Sequence, residues 1–62
     1  MKRTYPIKGN HEQVRQVIST LPTYGVTFPR PDVVSVDLAD GDEPTAIQIR
    51  NWLQRKGLLR GV

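Results

Sequence analysis

The chain has 62 residues, a net charge of +3 and no cysteine, and these properties exclude several classes of protein. A chain of this length buries only about 60% of the surface that it exposes when unfolded, so we expect one small core in a single domain, 1–62. Without cysteine, disulfide bonds, thiolate metal sites and thiol redox chemistry are excluded. No apolar run approaches the roughly 20 residues that cross a bilayer, so we expect a cytoplasmic protein without a membrane partner.

Charge is unevenly distributed along the chain. Residues 1–31 carry a net charge of +4, residues 32–43 carry −5, and residues 44–62 carry +4. Two basic regions therefore flank one acidic segment. This pattern is compatible with a polyanionic partner and suits a short bacterial or phage protein.

The first third of the chain predicts a basic segment followed by a helix. Residues 1–9 mix basic and β-prone residues, which predicts a basic arm or an edge strand. Asn10 is a good N-cap, and Pro22 ends the helical pattern, so we expect the first helix over 10–21. The apolar residues with helical spacing are Val14, Val17, Ile18 and Leu21.

The middle of the chain leaves one element undecided. Residues 24–28 are β-branched and aromatic and lie between prolines, which predicts a short strand. Residues 32–39 fit two patterns, because Val34, Val36 and Leu38 alternate as in a strand while Val34 and Leu38 also lie four apart, as on a helix. A second helix and a strand both remain open for 32–39.

The last third predicts a strongly amphipathic helix over 44–57. An acidic turn precedes it and Pro44 begins it, as helix starts favour, and Gly57 ends it, leaving 58–62 as a tail. We expect Trp52 to anchor this helix in the core. The residues predicted for the buried side are Ala46, Ile49, Trp52 and Leu53.

If 32–39 is helical, the chain resembles a known DNA-binding family. The segment from Ser35 to Gln54 then resembles a helix-turn-helix motif, with Ala39 where two helices cross and Ile49 ten residues later. The run that continues through Leu53 to Leu59 resembles a winged-helix recognition helix entering its wing. This resemblance implies an α+β, mostly helical fold: a small three-helix winged-helix-like domain with a short strand between helices 1 and 2 and a minimal or absent wing.

The resemblance implies a small regulatory protein that binds double-stranded DNA through the major groove, as a homodimer or with a larger protein partner. Arginine pairs with guanine, and asparagine or glutamine with adenine, so base contacts are expected from Gln48, Asn51 and Arg55. Phosphate contacts are expected from the remaining cations. The complete expected nucleic-acid-binding set is Gln48, Arg50, Asn51, Gln54, Arg55, Lys56, Lys2, Arg3 and Lys8.

Nothing in the sequence predicts an enzyme. His11 is the single histidine, and no serine or threonine has a partner that would activate it as a nucleophile. The acidic residues lack the spacing of a calcium loop, and the glycines lack a phosphate-binding pattern. We therefore expect no catalytic residue, metal, cofactor or small-molecule substrate.

The alternative is a non-enzymatic protein-interaction adaptor or inhibitor, encoded by a phage, that acts through Ile47 and the acidic 37–43 segment. Residues 32–39 discriminate between the two hypotheses. If they pair as a strand with 24–28, a β-hairpin packs under two helices and the helix-turn-helix motif disappears.

Overall fold

The computed structural model describes residues 1–61 and contains three strands and two helices in this range. Their order along the chain is β-α-β-β-α. The elements are β1 (Lys2–Pro6), α1 (His11–Ser19), β2 (Gly25–Arg30), β3 (Val33–Asp37) and α2 (Glu43–Arg55).

β3 is the central strand of the sheet, which has the order β1-β3-β2. It is antiparallel to both neighbours, with Tyr5 opposite Val34 on one side and Val26 opposite Val36 on the other. β1 and β2 are therefore parallel to each other with β3 between them, which is a split β-α-β arrangement. β1 lies at an edge of the sheet. The basic N-terminal segment therefore forms an edge strand, which is one of the two structures predicted for it.

The predicted three-helix, winged-helix-like fold is wrong, because residues 32–39 contain β3 and no helix. Val34 and Val36 are fully buried and Leu38 is 1% exposed, so the alternating pattern describes one buried face. A helix here would leave β1 and β2 without the strand that pairs with both. Tertiary pairing thus decides between two locally allowed structures, and the helix-turn-helix motif loses its first helix.

The hairpin between β2 and β3 also fixes the start of α1. Its two-residue turn begins at Pro31, and the strand register shifts by one residue between Thr27 and Arg30. Within this bulge Phe28 packs against the core and stacks on the His11 ring, with the ring centroids 4.1 Å apart. His11 Nε2 lies 2.6 Å from the Pro31 carbonyl oxygen, which ties the first turn of α1 to the hairpin.

Both helices pack on the same face of the sheet, and side chains cap both at their N-termini. Asn10 accepts a hydrogen bond from the Glu12 amide at 2.7 Å, which confirms Asn10 as the N-cap of α1. Asp42 accepts one from the Thr45 amide at 3.2 Å and caps α2. The buried hydrophobic residues are Tyr5, Ile7, Val14, Ile18, Val34, Val36, Leu38, Ala46, Ile49, Leu53, Leu58 and Leu59.

α2 ends in a turn that returns the chain to β1. Gly57 has φ +73°, a conformation that glycine adopts readily, and the Leu58 amide donates to the Leu53 carbonyl at 2.8 Å. This is the hydrogen-bond pattern of a Schellman motif, as the predicted helix end at Gly57 requires. Leu59 then forms a bridge with Ile7, so the tail is tied to the end of β1.

Two isoleucines on α2 give a matched test of this packing. Ile49 is fully buried, whereas Ile47 is 57% exposed. Ile49→Ala should cost about 2–5 kcal/mol of unfolding free energy by leaving a cavity, enough to unfold most of a domain this small. Ile47→Ala should change it by less than about 0.5 kcal/mol. Urea denaturation followed by circular dichroism measures both, and equal losses would contradict the packing.

Tyr5 makes the stability of the fold depend on pH. Its hydroxyl donates to the Ala46 carbonyl at 3.0 Å, joining β1 to α2, and burial raises the pKa of the Tyr5 hydroxyl. Because the folded state favours the neutral phenol, this stabilisation is complete below the unfolded pKa of about 10 and is lost as pH rises through the folded pKa.

Tyr5→Phe should therefore flatten the fall of the unfolding free energy above pH ~10 and lower stability at neutral pH by about 1 kcal/mol. Tyr24→Phe is the control, since Tyr24 is 76% exposed. Urea denaturation across alkaline pH tests this. Identical pH slopes for the wild type and Tyr5→Phe would be inconsistent with the buried phenol.

Candidate nucleic-acid interface

α2 buries one side and presents a polar and aromatic surface on the other. Ala46, Ile49 and Leu53 pack into the core at spacings of three and four residues. The helix therefore directs the intervening residues away from the sheet. We call this surface the outer face of α2, and it consists of Ile47, Gln48, Asn51, Trp52 and Arg55, all exposed.

An open depression lies within the outer face. It is lined by Gln48, Asn51, Trp52 and Arg55, which are spaced i, i+3, i+4 and i+7 and therefore form one stripe along the helix. Three of these four residues are those for which base contacts are predicted from sequence. None of the four is acidic.

Trp52 is the residue whose place the sequence predicts wrongly. It is 40% exposed on the outer face instead of anchoring the core. Trp52 follows Ile49 by three residues, which puts it about 60° round the helix on the side away from Leu53. Since Ile49 and Leu53 already fill the space above the sheet, the indole is left at the margin. The angular separation of Trp52 from Leu53 around the helix is the feature of the sequence that could have predicted this exposed position.

The ring of Trp52 is held by a cation from the same helix. The Arg55 guanidinium carbon lies 5.3 Å from the centroid of the Trp52 ring. A cation over an exposed ring contributes about 0.5–1 kcal/mol, so the contact orders both side chains and is weak enough to be exchanged for a ligand.

Other predicted contact residues on α2 lie outside the depression. Arg50 is seven residues from Glu43 and shares its side of the helix, where Glu43 pairs with Arg3. Gln54 is exposed and does not line the depression, whereas Lys56 lines a second groove shared with α1. The structure thus brings together part of the predicted set and separates the rest.

The three basic residues of the N-terminal segment lie at opposite ends of β1 and are not brought together. Lys2 lies opposite Asp37 in the β1–β3 register, and Arg3 forms an ion pair with Glu43. Lys8 lies beyond the other end of β1, where its amide donates to the Leu58 carbonyl at 2.9 Å. Lys2 and Arg3 therefore face carboxylates, and only Lys8 lies near the end of α2.

Carboxylates of the acidic 37–43 segment form contacts within the molecule. The N-terminal ammonium lies 3.4 Å from an Asp37 oxygen and 3.3 Å from an Asp40 oxygen. Asp42 caps α2 and Glu43 pairs with Arg3. These contacts join the start of β1 to the start of α2, while the side chains of Asp37, Asp40 and Glu43 stay exposed at the surface.

The fold separates charge towards two ends of the molecule. The acidic segment lies where β1 and α2 begin, and the opposite end gathers the hairpin turn, the start of α1 and the end of α2. We call this opposite region the basic end. Its charged residues are Lys8, Arg15, Arg30, Arg55, Lys56 and Arg60, with Glu12 and Asp32, for a net charge of +4.

Comparison of the chain with protein-family models, curated proteins and solved structures gives no match. In the part of the chain that the structure describes, neither helix is long and apolar enough to cross a membrane, and histidine and carboxylate side chains form no cluster that could hold a metal ion. Function is therefore inferred from the chemistry of the surface.

The contact between Arg55 and Trp52 in the depression can be tested by fluorescence quenching. Arg55→Ala should increase the quenching of Trp52 fluorescence by acrylamide, because the guanidinium no longer covers the ring. Arg50→Ala, on another side of α2, should leave the quenching unchanged. Trp52 is the single tryptophan, so the signal has one source. Equal quenching in both variants would contradict the geometry of the pair.

Proposed function

We propose that the protein is a non-enzymatic nucleic-acid-binding module that takes unpaired bases on the outer face of α2. The observation that carries this is the depression that combines the exposed ring of Trp52 with the Arg55 guanidinium and the amides of Gln48 and Asn51. Aromatic rings stack on bases, amides bond to base edges and guanidinium groups bind phosphates. A cytoplasmic, regulatory role belongs to the same proposal.

The position of the charges favours a strand that enters from the basic end. The N-cap Asp42 and the first residue Glu43 stand at the start of α2, and Arg55 and the C-cap Lys56 stand at its end. A helix lying lengthwise in a major groove would bring its acidic first turn to the phosphates, which like-charge repulsion opposes. A single strand in the depression contacts α2 only from Gln48 onwards and avoids that turn.

The exposed indole also favours unpaired over paired bases. In duplex DNA the faces of the bases are stacked on one another, so Trp52 would meet only base edges and phosphates. An unpaired base exposes its face, and stacking on an aromatic side chain contributes about 1–3 kcal/mol per base. Arg55 can then move from the ring to the adjacent phosphate.

A protein partner is the second candidate, and Ile47 is the observation that favours it. Ile47 is 57% exposed on the outer face, which also carries Trp52 and Arg55, and tryptophan and arginine are the residues most often dominant in protein interfaces. The two candidates differ in their use of charge, because binding to a polyanion weakens steeply with salt.

The test is a titration of the full chain with labelled single-stranded DNA. Binding is monitored by fluorescence anisotropy of the label and by quenching of Trp52, and duplex DNA of equal length is the comparison. Single strands should bind more tightly and quench Trp52. Log affinity should fall linearly with log salt, with a slope of about −0.7 per phosphate contacted. Trp52→Leu should weaken binding by about 1–3 kcal/mol.

Matched arginine variants separate a specific contact from general attraction. Arg55→Gln should reduce the salt slope by about 0.7, whereas Arg50→Gln, on another side of α2, should leave it unchanged. Equal affinity for single strands and duplex in both the wild type and Trp52→Leu would exclude base stacking on Trp52. Binding that is absent or insensitive to salt would favour the protein partner.

A further inference from the structure

A second groove lies beside the depression on α2, between the two helices. It is lined by Gln13, Gln16 and Val17 of α1 and by Lys56 and Leu58 from the end of α2. Leu58 is 7% exposed and Val17 is half-buried, so these two residues form an apolar floor. Glu12, the nearest carboxylate along α1, is not among the lining residues.

The groove between the helices and the depression on α2 have the same set of chemical groups. Each has two amide side chains spaced i, i+3, namely Gln48 and Asn51 in one and Gln13 and Gln16 in the other. Each also has one cation and an apolar or aromatic surface. Amides can bond bidentately to adenine, and apolar surfaces accept the face of a base.

Each of the two sites has one cation, and the two cations are consecutive in the chain. Arg55 lines the depression and Lys56, the next residue, lines the groove. An arginine can bind a phosphate bidentately, and a lysine binds it as a point charge. Because both side chains are long and belong to adjacent residues, they can approach from two sides a phosphate that joins one nucleotide in each site.

The backbone holds the groove open. Gly9 has φ +86°, and a Cβ atom at this position would lie 3.2 Å from a Leu58 methyl carbon. The amide of Lys8 donates to the carbonyl of Leu58 at 2.9 Å. The chain entering α1 and the chain leaving α2 are thus fixed against each other, so the groove exists before any ligand binds.

Resting on the proposed function, we propose that the depression and the groove bind two successive bases of one strand. The first base stacks on Trp52, and the second lies on Val17 and Leu58 between the helices. The phosphodiester that joins them lies over Arg55 and Lys56. The binding unit is therefore a dinucleotide, and adenine is the base that its four amides suit best.

The test compares two tetranucleotides with the same phosphates. One carries a single adenine among abasic sugars, and the other carries two adjacent adenines. The full chain should bind the two-adenine strand about tenfold more tightly, since each stacked base contributes on this scale. In the double variant Gln13→Ala/Gln16→Ala this advantage should fall to about twofold or less. Gln54→Ala, an exposed glutamine outside both sites, should retain it.

The outcomes separate this proposal from the one on which it rests. Trp52 quenching by both strands, with equal affinities for one and two adenines, would overturn the second site and leave base binding on α2 intact. An advantage of two adenines that survives in the Gln13→Ala/Gln16→Ala protein would place the second base elsewhere and equally overturn it. If neither tetranucleotide quenches Trp52 or binds, the proposed function itself fails.

Discussion

The burial of β3 between two strands and under two helices is the constraint on which the rest of the structure depends. Val34 and Val36 are fully buried, and each lies opposite a residue of a neighbouring strand. Without this central strand, β1 and β2 have no partner and α2 has no apolar surface on which to pack Ile49. The direction of every side chain on α2 follows from that packing.

The candidate site is formed by side chains of α2 that the core does not bury. The core needs Ile49 and Leu53, so the indole of Trp52 is left at the margin beside Arg55. Charge separation also distinguishes the two ends of α2. Acidic groups join the start of α2 to the start of β1, whereas cations lie where α2 ends. The polyanion that we propose as the ligand is therefore directed to the depression on α2 and to the groove beside it.

Local sequence predicts those parts of the fold that local interactions determine. The two helices, the N-cap at Asn10 and the helix end at Gly57 follow from periodicity and backbone preferences within a few residues. The structure of residues 32–39 does not follow from local sequence, because their pattern fits both a strand and a helix. Pairing with β1 and β2 decides between the two. The position of Trp52 depends on which neighbouring side chains fill the core. The groove depends on the approach of α1 to the end of α2. Neither feature can therefore be predicted from the sequence around it.

Carbon chemical shifts and cross-strand NOEs of Val33 to Asp37 test the central claim most directly. The account predicts strand-type shifts, with NOEs from Val34 to Tyr5 and from Val36 to Val26 in the same sample. Helical shifts over this segment, or NOEs to one neighbouring strand alone, would contradict the central position of β3. In that case the outward orientation of Trp52, and the functions proposed from it, would have no structural basis.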